Sequence, residues 1–124
     1  MNSALAAYAQ AQGLPPAPGP SNVLRLEAEK EDSVVIEARG DILLAYRIHP
    51  LPFPTGAQML AALRRCDIRL RQGVQVGLRG AGHDAALFMV LRLDEDAQEP
   101  RHIDEALHRL KRWQAEWAAA CATF

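Results

Sequence analysis

Between Val23 and Ile48 the chain alternates apolar with polar or small residues at a period of two, three times over, with only two short turns between. No other feature restricts the fold as tightly. A period of two belongs to half-buried strands, and turns this short can join only antiparallel neighbours. Val23–Ala28 sets Leu24, Leu26 and Ala28 against Val23, Arg25 and Glu27. Lys30-Glu31-Asp32 makes a turn. Val34–Arg39 sets Val34, Ile36 and Ala38 against Val35, Glu37 and Arg39. Gly40-Asp41 turns tightly into Ile42–Ile48, where Ile42, Leu44, Tyr46 and Ile48 oppose Leu43, Ala45 and Arg47. The expectation is an antiparallel meander with one buried face, and Val23, Val35 and Leu43 are assigned to its outer face.

The flanking segments fill in the rest of one domain over residues 1–124. Leu5, Tyr8 and nearby alanines recur at helical period, which predicts a first helix over 2–12 that ends at Gly13. Residues 14–21 hold four of the eight prolines and form a stiff connector, too short to separate two domains. The alternating prolines of His49-Pro50-Leu51-Pro52-Phe53-Pro54 stop the third strand at Ile48. Thr55 is a good N-cap for a helix over 56–66, on which Met59, Leu60, Leu63 and Cys66 share a stripe. A fourth strand is expected over Ile68–Leu78 with a bulge at Gly73, then a glycine turn at 80–84. Ala85–Leu93 is the most apolar strand and is expected to be central and covered on both faces. The last helix, 101–121, carries Ile103, Leu107, Leu110, Trp113, Trp117 and Cys121 as one stripe. The order α-β-β-β-α-β-β-α makes this an α+β fold, a twisted antiparallel sheet packed by helices.

Chemistry is hard to find in this chain. The glycines at 77, 80 and 82 lie between two strands, whereas a phosphate-binding loop needs a helix N-terminus after them. His102 and His108 are six apart on one helix, on nearly opposite faces, so they cannot share a metal as an i,i+4 pair does. Ser3, Ser21 and Ser33 stand at cap or turn positions, and none sits in a nucleophile elbow. Cys66 and Cys121 form no CxxC pair and are expected to be buried, reduced thiols of a cytosolic protein. No catalytic residue, metal site or cofactor is assigned. A small hydrolase using Cys66 or a histidine is the rival reading, weakened by the lack of any paired nucleophile and base.

Charge narrows the partners. Fourteen Lys and Arg face fifteen Asp and Glu, for a net charge of −1. That balance lacks the basic excess a nucleic-acid binder uses against phosphates. No stretch approaches the ~20 apolar residues that span a bilayer, and no Lys or Arg precedes Arg25 to begin a signal peptide. Neither nucleic acid nor membrane is expected as a partner, and the expected location is cytoplasmic. What remains is surplus apolar surface. Val23, Val35 and Leu43 sit on the nominal outer face, and Leu51 and Phe53 stand between prolines where burial is hard to arrange. Such surface invites another chain. Trp113 and Trp117 are read as core, and Arg64, Arg65, Arg69 and Arg71 as a solvated basic face or an acidic-partner contact.

Several segments together resemble the class I type III secretion chaperones. These are the first helix ending in GLPP, then VLRLEA, VVIEARGDILLAYRI, HPLPFP, the helix MLAALRRC, the strand ALFMVLRLDED and the Trp-bearing last helix. The resemblance implies a cofactor-free protein that holds the N-terminal segment of a secreted effector or regulator in extended form. It implies partner contact along the first helix and first three strands, at Leu5, Tyr8, Val23, Val35 and Leu43. It also implies a dimer seam near Met59, Leu63, Leu70 and Val76, in a homodimer or in a heterodimer with a related chaperone. A regulatory cofactor that binds another protein, such as an anti-activator, is the alternative within the binding class.

Overall fold

In the computed structural model, which describes residues 3–14, 22–66 and 73–122, the alternating segments become three strands of a five-stranded antiparallel sheet. The elements are α1 (Ser3–Ala11), β1 (Val23–Leu26), β2 (Ser33–Arg39), β3 (Ile42–Pro50), α2 (Gly56–Arg65), β4 (Gln75–Arg79), β5 (Ala86–Leu93) and α3 (Pro100–Cys121). Their order is the expected one. The strands lie β1-β2-β3-β5-β4 across the sheet. Residues 15–21 of the connector and 68–72 of the expected fourth strand fall outside the described residues.

β3 runs two residues further than the proline rule suggests. Leu51 donates its N–H to the Ala85 carbonyl on the β5 side. Successive residues of a strand point their amides to opposite sides, so the missing donor of Pro50 falls on the β2 side. There β2 has already ended, at Ser33 opposite Ile48. The proline costs the ladder nothing. At the β4–β5 turn Gly80 has φ +78, and a Cβ there would lie 2.6 Å from the Asp84 carbonyl oxygen, so only glycine fits.

All three helices pack on one face of the sheet. Leu5 and Tyr8 of α1 join Ile36, Ala38, Leu43 and Ile103 in one cluster. Ala61 and Ala62 of α2 join Leu87, Met89, Leu110, Trp113 and Trp117 in another. Helix starts follow local chemistry. Thr55 Oγ1 accepts from the Gln58 amide at 3.1 Å, and Gln58 Oε1 accepts from the Thr55 amide at 2.7 Å, a full capping box. α3 opens on Pro100, where a missing N–H is harmless. The two tryptophans are core, as expected, and their indoles also tie α2 down. Trp113 Nε1 donates to the Arg65 carbonyl at 3.3 Å and Trp117 Nε1 to the Gln58 carbonyl at 3.0 Å.

Beneath α3 lies a polar latch. Arg47 is only 8% exposed although it stands in a strand. Its Nη2 donates to Asp32 Oδ2 at 2.9 Å and its Nε to Gln114 Oε1. Gln114 Nε2 donates to Asp32 Oδ2 at 3.0 Å, and Asp32 Oδ1 lies 2.7 Å from His49 Nδ1. The β1–β2 turn, β3 and α3 thus meet at one carboxylate. Burial alone would raise the Asp32 pKa. The hydrogen bonds from His49 and Gln114 and the charges of His49 and Arg47 outweigh it and hold the carboxyl below its usual value.

Two outcomes follow for Asp32. Asp32→Ala leaves a buried guanidinium without its counter-charge and is expected to cost about 2–4 kcal/mol in urea denaturation. Because the folded carboxyl binds its proton less readily than the unfolded one, its contribution is complete above the ordinary aspartate value of about 3.9 and drains away as pH falls through the folded value. The destabilisation by Asp32→Ala should therefore shrink in acid. A penalty that stays constant from pH 7 to pH 3 would contradict this account.

Candidate functional site

The pairing register decides which side chains the sheet leaves uncovered. Ala38 pairs with Leu43 and Ile36 with Ala45, so those residues share the helix-covered face. The opposite face takes Val35 beside Tyr46 and Tyr46 beside Val90, then Ile48 beside Phe88 and Leu44 beside Arg92. Val35, Leu44, Tyr46, Ile48, Phe88 and Val90 are half-buried by one another, and no helix or strand among the described residues covers them. β5 is therefore not covered on both faces as expected. It is flanked by β3 and β4, but only its Leu87, Met89 and Leu91 side is packed.

The expected partner-contact residues separate. Val35 is half-buried on the open face, and Val23 stands 38% exposed on the same face at the β1 edge. Leu43 is fully buried at 0% exposure, which corrects its assignment to the outer face. The cause is the Gly40-Asp41 turn. It sets Arg39 opposite Ile42, so Ala38 and Leu43 must point the same way, into the core. Leu5 and Tyr8 are buried as well, on the α1 stripe that meets α3. Tyr8 Oη donates to Asp104 Oδ1 at 2.6 Å. Burial, then that hydrogen bond and the Asp104 charge, push the phenol pKa far above its usual value, so the phenol stays a donor.

Around Tyr8, α1, β1 and α3 border an open cleft of about 800 Å³ that Leu26, Leu107, His108 and Lys111 help to line. Lys111 bonds Glu29 at its mouth. This cleft mixes both signs of charge with apolar lining from Leu26, Val34 and Leu107.

The expected dimer residues converge. Met59 is 42% and Leu63 70% exposed on α2, and both line an apolar groove of about 210 Å³ with Val76 and Leu78 of β4. Leu51 and Leu87 lie in its floor. Leu70 lies outside the described residues. The proline segment splits, since Leu51 is buried while Phe53 is 70% exposed with φ +51, its amide bonded to the Gly82 carbonyl at 2.9 Å. In the basic cluster Arg65 Nη1 reaches Glu116 at 3.4 Å, and residues 69 and 71 are outside the described set.

Cys66 is exposed at the groove and Cys121 half-buried, so the expectation of two buried thiols is corrected. Cys66 ends α2, where the helix surface turns to solvent. Among the described residues no three His, Cys, Asp or Glu gather as a metal site, and no helix is long and apolar enough to cross a membrane.

No protein-family model and no curated protein matches this sequence. Solved structures do match the fold. A chain of the HopA1-SchA chaperone-effector complex superposes with a TM-score of 0.67 at 11% identity, over 89% of this chain and 86% of that one. A chain of the ExsC-ExsE complex superposes with a TM-score of 0.65 at 15% identity, over 88% and 84%. This is a class I type III secretion chaperone-like fold. At such low identity the agreement lies in topology, in three helices on one face of a five-stranded antiparallel sheet.

Within this chaperone-like fold the sequence pattern marked the α2 stripe but passed over Tyr46, Leu44, Ile48, Phe88 and Val90. The missing signal was the register across the Gly40-Asp41 turn.

The Cys66 thiol has its own expected behaviour. Although the residue is exposed, partial burial of its sulfur against the groove raises the pKa, and a backbone hydrogen bond at Val76 lowers it less. Native Cys66 should alkylate with iodoacetamide more slowly than the same thiol in urea, with a rate midpoint above the usual thiol value of about 8.5. A native rate equal to the unfolded one across pH 7–9 would refute this.

Proposed function

We propose that this chain is a cytoplasmic type III secretion chaperone. It binds the N-terminal segment of a secreted effector or regulator, holds it in extended form and keeps it competent for export. One observation carries the reading: a five-stranded sheet with helices on one side and an apolar face on the other that no described element covers. The chaperone-effector complex among the structural neighbours supports it. A disordered segment loses entropy when it binds, so it needs a long surface to repay that loss. The open face and the edge strand β1 supply one. The edge offers main-chain donors and acceptors, and the face offers apolar contact. Val23 and Val35 are the contact residues of this surface. Leu5, Tyr8 and Leu43 support it from the core side. Neither a catalytic group nor a cofactor is needed.

The same reading makes the 1–124 domain a dimer through the α2–β4 groove, with Met59, Leu63 and Val76 as the seam. A two-fold axis there buries one self-complementary patch twice. The second copy is the same chain or a related chaperone.

Val35 and Leu43 give the test. Val35→Asp places a charge on the open face, where the chain's own fold tolerates it. Capture of a co-purifying secreted protein from the native cell should fall by the equivalent of about 2–4 kcal/mol, while the melting temperature hardly moves. Leu43→Asp should unfold the chain outright, since it strands a carboxylate in the core. Unchanged capture by a folded Val35→Asp protein would sink the proposal.

The seam is tested separately. Light scattering should give about twice the 13.6 kDa chain mass, and Leu63→Asp should bring it down to one chain mass. A wild-type monomer at micromolar concentration would exclude the homodimer and leave the heterodimer.

A further inference from the structure

The charges on the open face are not random. The outward positions of the paired strands carry four arginines, Arg25, Arg39, Arg79 and Arg92, against one glutamate, Glu37. The whole chain has a net charge of −1, so this face departs from the chain in both sign and size. The arginines also have a place. Arg39 and Arg92 stand at one end of the apolar rows, Arg79 at the other and Arg25 along the β1 edge. All four are exposed, while the apolar residues between them are half-buried. Arg79 lies over the Phe88 ring, 5.3 Å from its centre. No carboxylate among the described residues bonds Arg25 or Arg79. Arg39 and Arg92 hold only the half-buried Glu37 and the exposed Asp94, pairs that a new carboxylate can exchange.

Resting on the chaperone reading, we propose that the open sheet face seats one amphipathic helix of the partner, separate from the stretch held in extended form, with its apolar stripe on Tyr46, Ile48, Phe88 and Val90 and carboxylates beside the stripe meeting the arginine frame.

A helix is required because the face of a sheet presents side chains only. The main-chain groups of β3 and β5 are already paired with neighbouring strands. A segment that lies on the face must satisfy its own N–H and C=O groups, which a helix does and a lone strand does not. Its length follows from the frame. From Arg92 to Ala86, the row of Arg79, β5 advances about 20 Å, which about 14 helical residues span. Carboxylates are required because a neutral or basic helix would bury the frame without counter-charge. A second copy of this chain does not fit, because a two-fold pairing of this face sets arginines against arginines.

Three synthetic peptides of about 14 residues test this. They share one leucine stripe and one i,i+4 staple on the far side, and the positions flanking the stripe are Glu, Gln or Lys. Fluorescence anisotropy at low salt should show the Glu peptide binding about tenfold tighter than the Lys peptide, with Gln between. The gap should close as salt shortens the Debye length below about 4 Å, near 0.5–1 M. The Arg79→Glu, Arg92→Glu double variant, its folding checked by thermal melting, should reverse the order. Equal binding of all three peptides that is lost in Tyr46→Asp overturns the charge complement and leaves capture standing. An order that survives the double variant overturns it too. No binding by any peptide overturns the helix proposal alone, since capture is read independently by Val35→Asp.

Discussion

One helix covering one face of one sheet is the constraint from which the rest of this structure follows. α3 has 22 residues and spans about 33 Å, while five strands are about 24 Å across. A single helix can therefore cross every strand. Its stripe does two jobs along its length. Ile103 and Leu107 pack near α1 and the β2–β3 hairpin, whereas Leu110, Trp113 and Trp117 pack on β5 and receive α2. With α1 and α2 fastened to the same helix, no element among the described residues covers the other face. The apolar residues there are a consequence of topology.

The polar latch beneath α3 explains why the packing of this helix is specific. A leucine stripe on an apolar sheet could slide by a turn at modest cost. Asp32, Arg47, His49 and Gln114 cannot, because each shift would leave a buried charge or amide without its partner. A buried ion pair adds little net stability when compared with an apolar replacement. Its value here is positional, as it fixes α3 against the β1–β2 turn and the end of β3 at one carboxylate.

That same latch shows where the sequence could be read and where it could not. Element order, the Thr55 cap, the core tryptophans and the α2 stripe follow from periodicity and cap chemistry that act within a few residues. The sidedness of β3 does not. Its two residue sets are Ile42, Leu44, Tyr46, Ile48 and Leu43, Ala45, Arg47, and composition favours burying the first. The structure buries the second, because Arg47 finds Asp32 fifteen residues away and Gln114 on a distant helix. A charge buried by a long-range partner is invisible to a local pattern. Yet the answer was available by one further step, since Ala38 faces inward and the two-residue turn binds Leu43 to the same side. For this one reason Tyr46, Ile48 and Leu44 belong to the open face with Val23 and Val35, and Leu43 does not.

An open apolar face carries a hazard, since flat uncovered sheets aggregate. Here the arginine frame reduces it in the free state. The guanidinium of Arg79 rests on Phe88, and long arginine stems can shield apolar neighbours while their heads stay in water. Two such faces approaching each other bring like charges together at both ends of the strands, so stacking of the apolar rows between those ends is opposed. The α2–β4 groove, by contrast, has Met59, Leu63, Val76 and Leu78, with no charged lining residue among the described residues. On the proposed reading, self-association is thereby steered to the groove and away from the face. One chain thus keeps two apolar surfaces apart by charge, one fit for a second copy and the other for a partner that brings its own carboxylates.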